Sequence, residues 1–468
     1  MKAYYSGEWK GGARRIEVSN PFTEEIFATI PELEESILDD ALTDLKLGGR
    51  ELLKTKREER AAIFKNFHEI LFLRKEEMAA AISREQGKTL REAELEVLTS
   101  LNSVEALAYN ASLIGPRILP LAKEASQNGA TGYTVRHPHG VVAIVTPTPQ
   151  PLILPLTHAL FAIAAGNAVA LKPSRHSSLV VLILVEMLLE SGLPPRAIAC
   201  FTGTGKKIGR ALCRHPLVDH IVCSGSLPTI KDIRSRMSFV TSQFQWGCVS
   251  TCVVGKTANI ELVADQILNT AFESSGQSAF TPAWIACFEK QYGDLRDLLA
   301  DRMSRLQPGD PFDQRTSLGP VTELKNANRL DERVKYELAQ GAAIVTGSRL
   351  GSRLFQPILL GECSLQETRF SRKEIPGPII GLTKINKARE ATGVILSQRY
   401  HTLTLFSRDE DWAAREAMRM PFNNVHVNGI PTWKNGLICL PGHPFRTGTR
   451  EASDRISDMS HIRDVVFH

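Results

Sequence analysis

Lys172 closes the apolar run Asn167-Ala168-Val169-Ala170-Leu171-Lys172-Pro173-Ser174. At the end of a buried strand in a doubly wound sheet, a lysine points its ammonium into the ligand crevice. The plainer alternative is a lysine that is merely solvated. Further on, Gly203-Thr204-Gly205-Lys206-Lys207-Ile208-Gly209 has the form of a glycine turn opening a helix, where backbone N–H groups can meet a phosphate. Such turns are common between strand and helix, so this one alone is weak. Three other side chains carry atoms able to attack a carbon or take a proton: the Ser278 hydroxyl, the Cys248 thiol and the His158 imidazole. Cys248 and Cys252 lie close in sequence, but no Cys/His pair nearby completes a zinc set, and no metal is expected.

The elements that must position these groups follow from periodicity. The first 115 residues read as mostly helical, with Ile63, Phe64, Phe67, Ile70, Leu71, Met78 and Ile82 at helical spacing between Lys56 and Arg84. From Gly140 the pattern changes to short apolar strands alternating with helices. Strands are expected at Val141 to Val145, Ala168 to Leu171, Ala197 to Phe201 and His220 to Cys223. Helices are expected at Leu152 to Ala165, Leu179 to Glu190 and Lys206 to Cys213. That alternation builds a parallel, doubly wound sheet whose functional residues follow each strand. A second α/β unit begins near Asn259, with a helix from Asp265 to Phe272 and a strand from Ala283 to Phe288, and ends around Val425 to Gly429. Lys123 to His139 reads as a β-hairpin arm outside the main fold.

Composition sets outer limits. A chain of 468 residues, 43% hydrophobic and 23% charged, is long enough for two or three globular domains. The formal net charge of +5 is spread along the chain, which argues against a nucleic-acid partner. Eight cysteines without a tight framework read as reduced, buried thiols. No run reaches the roughly 18 apolar residues of a membrane span, and the N-terminus has no apolar signal core. A cytoplasmic protein without membrane contact is the expectation.

The order and spacing of motifs from Glu85 to Glu374 resemble the aldehyde dehydrogenase family. The resemblance runs essentially the full length and implies an α/β fold. A Rossmann-like doubly wound domain (1–117 and 139–255) would be joined to a second α/β domain (256–445) and a β-hairpin oligomerisation arm with its tail (118–138 and 446–468). It assigns Lys172 to the adenosine ribose of NAD(P), with Ser174 beside it, and Gly205, Gly209, Gly225 and Ser226 to the phosphate-binding turns. Arg175 stands where many NAD-preferring relatives carry glutamate; it could pair with a 2′-phosphate or be an ordinary surface arginine. Glu374, in Glu374-Ile375-Pro376-Gly377-Pro378, matches the glutamate that holds the nicotinamide ribose. Cys223-Ser224-Gly225-Ser226 resembles the family's Phe-Thr-Gly-Ser, yet Pro228 and Ile230 alter the segment where a second glycine is usual.

At the reacting positions the chain departs from the family. Ala279, in Ser275-Gly276-Gln277-Ser278-Ala279, replaces the nucleophilic cysteine and has no lone pair to offer. Gln245 replaces the general-base glutamate, and a glutamine takes no proton near neutral pH. Pro149 replaces the asparagine whose amide serves the oxyanion hole. The expectation from these three is a chain that has left dehydrogenase chemistry: a pseudoenzyme, or a binding or scaffold subunit beside an active partner enzyme, with no measurable aldehyde oxidation. Two alternatives stay open. One is a repurposed enzyme using Ser278, Cys248 or His158 for non-redox chemistry in the old cavity; the other is residual NAD(P)-dependent oxidation of an aldehyde hydrate. NADP or NAD would bind weakly, with NADP preferred, or not at all. Because Thr131 to Arg136 and Ile462 to Phe467 alternate like strands that pair across subunits in the family, a homodimer or dimer of dimers is expected.

Overall fold

A computed structural model describes residues 1–112, 116–119, 131–246, 250–278, 280–370, 376–395, 402–420, 422, 424–432 and 456–467. Its first seven-stranded sheet runs in the order Thr241–Trp246, His220–Gly225, Val141–Val145, Ala168–Lys172, Ile198–Cys200, Ala3–Tyr5 and Glu8–Lys10. The five strands from Thr241–Trp246 to Ile198–Cys200 are parallel, and their runs of Val, Ile, Leu and Ala are buried on both faces by helices. A second seven-stranded sheet has the order Ala343–Arg349, Phe355–Gly361, Ile379–Ile385, Pro282–Phe288, Ser250–Val254, Thr402–Phe406 and Asn424–Val427. The chain passes from one sheet to the other between Trp246 and Ser250.

The N-terminal region is mostly helical, as expected, through Leu38–Lys54, Arg57–Leu73, Lys75–Gln86 and Leu90–Ser112, but its first residues are strands. Ala3–Tyr5, Glu8–Lys10, Arg14–Ser19 and Ile26–Glu32 are strands, the last two forming their own antiparallel pair. They are too short for a helical stripe, and alternation through Ile16, Val18, Ala28 and Ile30 satisfies a two-residue period instead. The helix expected from Lys56 to Arg84 is two, Arg57–Leu73 and Lys75–Gln86. Its apolar stripe runs out at Leu71: Phe72 and Leu73 are exposed, and Arg74 at the break is tied to Glu77, Glu186 and Glu190.

The expected arm is a three-stranded sheet in which Thr131–Pro138 lies between Arg117–Ile118 and Ser460–Phe467. Residues 120–130 of the arm lie outside the described part. The tail strand, expected to seek a partner subunit, finds its edge within the same chain, Ile462 opposite Arg136 and Phe467 opposite Thr131. Where this sheet meets the first one, four histidines gather. His139 stacks on His220 at 4.5 Å, and His461 lies 5.1 Å from His137 and 5.8 Å from His139.

Burial pushes the His220 imidazole down to about 3, and holds His139 and His461 below the ordinary histidine value. Asp219 and Asp458 oppose the effect at His139, while Arg463 reinforces it at His461. A depressed histidine contributes stability that is complete above its unfolded value, near 6.5, and is lost as pH falls toward the folded value. At about pH 5, His220 alone should have cost about 2 kcal/mol. Urea unfolding at near-neutral pH and at about pH 5 checks this. The difference should shrink in His220→Phe, and an unchanged difference would remove His220 as its source.

Candidate active site

At the carboxyl ends of the first sheet, Val141–Val145 and His220–Gly225 are neighbours, although the chain leaves the former toward one side and returns by the latter from the other. Open α/β sheets hold their ligands at such switch points. The loop that follows, from Thr146 to Pro151, carries prolines at 147, 149 and 151 and so has few N–H donors of its own. It is fixed from below: Leu152 and Ile153 donate to Glu96 Oε1 at 3.0 and 3.2 Å, and Glu96 is paired with the buried Lys88 Nζ at 2.5 Å. Gln150 beside Pro149 is held in the left-handed region (φ 57°), with its amide nitrogen buried and unpartnered among the described residues.

Two of the sequence-predicted groups meet here. His158, on the helix Ile153–Ala164, is buried, and its Nε2 lies 3.3 Å from Ser224 Oγ. Ser224 Oγ donates to Gln245 Oε1 at 3.0 Å, because Ser224 and Gln245 face each other across adjacent parallel strands. The result is a hydrogen-bonded chain, Gln245 to Ser224 to His158. If the hydroxyl turns from the amide to the ring, Ser224 becomes the donor to an accepting imidazole nitrogen.

The segment 273–280 forms a second wall. Ser274, Ser275 and Gly276 take three successive left-handed conformations (φ 51°, 57° and 70°). Single such residues cost of order 1–3 kcal/mol and cluster at functional sites. The surroundings enforce the turn: Ser274 N donates to Glu92 Oε1, Gln277 accepts from Thr322 N, and Gly377 N donates to Gly276 O at 2.9 Å. A Cβ on Gly276 would sit 2.2 Å from the Gly377 carbonyl oxygen, so only glycine fits. The turn approaches the proline-rich loop through Phe280, which packs on Ile153 with Leu95. Ser278 Oγ accepts from Phe280 N at 3.3 Å, and it is not hydrogen-bonded to His158 or Gln245. Ala279, Cys248 and Glu374 lie outside the described residues.

At the end of Ala168–Lys172, Lys172 is buried. Its ammonium donates to Pro173 O, and burial pushes it down to about 8. A cation so desolvated fits an added acceptor such as a ribose hydroxyl or phosphate. Gly209 lies against its stem, where a Cβ would make ordinary contact at 3.8 Å, and Gly205 borders open space. Ser174 Oγ is bonded to Thr148 Oγ1 at 2.8 Å, which in turn reaches Glu323 Oε1 at 3.3 Å. Arg175 is exposed; its Nε contacts His176 Nε2, and its terminal nitrogens have no partner among the described residues. Beyond Gly225, Ser226 caps the helix Leu227–Arg234 by accepting from Thr229 N. Pro228 brings no N–H and Ile230 is turned into the core, so this helix start offers fewer donors than a full phosphate cradle.

The arrangement as a whole has known counterparts. The pattern of the aldehyde dehydrogenase family matches residues 9–441. The chain belongs to that family. Among aldehyde dehydrogenases, a 3-sulfolactaldehyde dehydrogenase of Priestia aryabhattai is 28% identical over 435 residues, covering 92% of this chain and 90% of that protein. The mitochondrial succinate-semialdehyde dehydrogenase of Arabidopsis thaliana is 25% identical, over 96% of this chain and 86% of its own length. The crystal structure of an NADP-dependent glyceraldehyde-3-phosphate dehydrogenase from Bacillus halodurans, complexed with NADP, superposes with a TM-score of 0.93. It is 24% identical and is covered to 98%, with 100% of this chain matched, which establishes the aldehyde dehydrogenase fold.

These relatives correct one expectation. A chain without dehydrogenase chemistry, serving as a pseudoenzyme, binding protein or scaffold beside an active partner, has no support among them. The proteins that match nine-tenths of the sequence are named aldehyde dehydrogenases. Sequence reasoning also passed over Ser224, Gln150 and Glu96. The pairing of Ser224 with Gln245 depends on strand register, which motif comparison along the chain does not contain. Among the described residues no helix is long and apolar enough to cross a membrane.

Proposed function

We propose that this chain is an NAD(P)-linked oxidoreductase that oxidises a short aldehyde bearing an anionic group, through the aldehyde hydrate rather than a covalent thiol adduct. The observation that carries this reading is the hydrogen-bonded set His158, Ser224 and Gln245 at the sheet's switch point, in a chain with Ala279, Gln245 and Pro149 at the family's three reacting positions. The substrate class is taken from names such as 3-sulfolactaldehyde, aspartate-semialdehyde and malonate-semialdehyde dehydrogenase, which several relatives bear.

Lys172, Ser174, Arg175, Gly205, Gly209, Gly225, Ser226 and Glu374 would hold the nicotinamide nucleotide, which when bound supplies the hydride acceptor. The chain's own part is to orient the hydrate and take its proton. Gln245, with an amide that both donates and accepts, orients a hydrate hydroxyl. Ser224 Oγ relays the hydroxyl proton to His158 Nε2, the imidazole nitrogen within its reach. The unpaired Gln150 amide stands in the loop where Pro149 has no donor. A homo-oligomer built on the arm sheet belongs to the same reading, supported by exposed Ile118, Tyr133, Ile462 and Phe467. A cytoplasmic setting is supported by six described cysteines that are all buried and unpaired.

The test is reduction of NADP+ and NAD+ by the unmodified protein with malonate semialdehyde, succinate semialdehyde and 3-sulfolactaldehyde as substrates, followed by nicotinamide absorbance and by the acid product. Turnover that needs both nucleotide and aldehyde is expected, while a null result across the panel with properly folded protein sinks the proposal. Arg175→Glu should reverse the nucleotide preference toward NAD+, since a carboxylate accepts from ribose hydroxyls and repels a 2′-phosphate. Comparing kcat/KM for the two nucleotides in both proteins checks that reversal.

A further inference from the structure

The second sheet repeats the topology of the first. In the first, the chain runs from Val141–Val145 outward through Ala168–Lys172 and Ile198–Cys200, then crosses back to place His220–Gly225 and Thr241–Trp246 on the other side. In the second, it runs from Ser250–Val254 through Pro282–Phe288 and later Ile379–Ile385, then crosses back to place Thr402–Phe406 and Asn424–Val427. Each sheet therefore has a switch point beside its founding strand, and such points open a ligand crevice at the carboxyl ends. The wall at 273–280 lies at the opposite end of the second sheet, ahead of the strand beginning at Pro282. The carboxyl-end crevice of that sheet is left without an assigned role.

A cleft of about 310 Å³ lies there, between Asn259 at the start of one helix and the strand-end residues Phe406, Ser407 and Arg408, with Glu410 and Asn428 beside them. Its wall is rigid. Ser407 N donates to Asn428 Oδ1 and Asn428 Nδ2 donates to Ser407 O, both at 2.9 Å, with Asn428 in the left-handed region at φ 55°. This clasp joins the ends of the two returning strands, as Ser224 and Gln245 do in the first sheet. Arg408 and Glu410 are exposed, and among the described residues neither is paired with the other or with any third group. The cleft thus presents one guanidinium, which matches a carboxylate as a planar fork, and one carboxylate, which matches an ammonium.

We propose that this crevice is a second binding site, for a small zwitterion of the α-amino acid class, with Arg408 taking the carboxylate and Glu410 the ammonium. Calorimetric titration of the full-length protein with each L-α-amino acid tests it. Propionate and butylamine serve as half-ligands, and each series is repeated with saturating NADP+. At least one amino acid should bind, with both half-ligands weaker by about tenfold or more, the size of one lost charge-assisted bond. Arg408→Gln and Glu410→Gln should each weaken it to a similar extent, and NADP+ should leave its affinity unchanged. No binding by any amino acid overturns the proposal. So does affinity that survives both substitutions, is matched by propionate, or is abolished by NADP+, the last placing the ligand in the first crevice.

Discussion

His158→Ala is expected to lower aldehyde-dependent NADP+ reduction by about 10²–10⁴-fold, the range typical of a positioned general base. The effect should fall on kcat and leave KM for the aldehyde nearly unchanged, because the buried imidazole contacts Ser224 Oγ, and Gln245 remains to orient the substrate. His158→Gln separates the chemical role from the structural one. Its amide can still meet the Ser224 hydroxyl but cannot hold a proton, so it should be as slow as the alanine variant. If His158→Gln kept activity within about tenfold of the parent, well short of a lost general base, the imidazole would be a packing residue and the proton would leave by another route.

The dependence on His158 follows from what the chain lacks. A thiol at position 279 would hold the substrate carbon covalently, and a glutamate at 245 would take the proton directly. Ala279 and Gln245 do neither. Placing them at the reacting positions belongs to the proposed reading and rests on contiguous motifs in which Lys172, Gly225 and Gln277 keep the register. The parallel strands were legible in the sequence, since Val141–Val145 and Ala168–Lys172 are short apolar runs closed by polar residues. What the sequence did not disclose lies across elements. The Ser224–Gln245 contact depends on pairing between strands about twenty residues apart, and the Glu96 contact joins an N-terminal helix to the proline-rich loop. The first residues were misjudged for a related reason: Arg14–Ser19 and Ile26–Glu32 are strands by virtue of pairing with each other, which local helical propensity does not report. The scaffold reading failed one step further on. Substitutions expected at three reacting positions argue at most against one mechanism, and that is a weaker statement than the absence of redox chemistry.

The largest effect on stability is expected from Glu96→Ala. The carboxylate is fully buried and holds the Lys88 ammonium at 2.5 Å, with Lys88 only 3% exposed at its side chain. It also accepts from Leu152 N and Ile153 N, the first amides of the helix that carries His158. Removing one member of a buried ion pair takes from Lys88 its carboxylate counter-charge, at a cost of about 3–5 kcal/mol. Against a domain stability of about 5–15 kcal/mol, that is enough to unfold a substantial share of the protein on mild warming. Lys88→Met should also be costly, because the buried carboxylate then loses its counter-charge and keeps only the two backbone amides. The double substitution Lys88→Met with Glu96→Met distinguishes an ion-pair effect from a capping effect. Apolar replacement of both charges can recover much of the loss, yet Leu152 and Ile153 still lack an acceptor, so recovery should stop about 1–2 kcal/mol short. Urea midpoints of the four proteins measure all three differences. Glu96→Ala within about 1 kcal/mol of the parent would mean that the site rearranges around Lys88, a relaxation that the ion-pair argument leaves out. If the full loss is seen, the proline-rich loop should loosen with it. Glu96→Ala would then lower kcat without touching any group that meets the substrate.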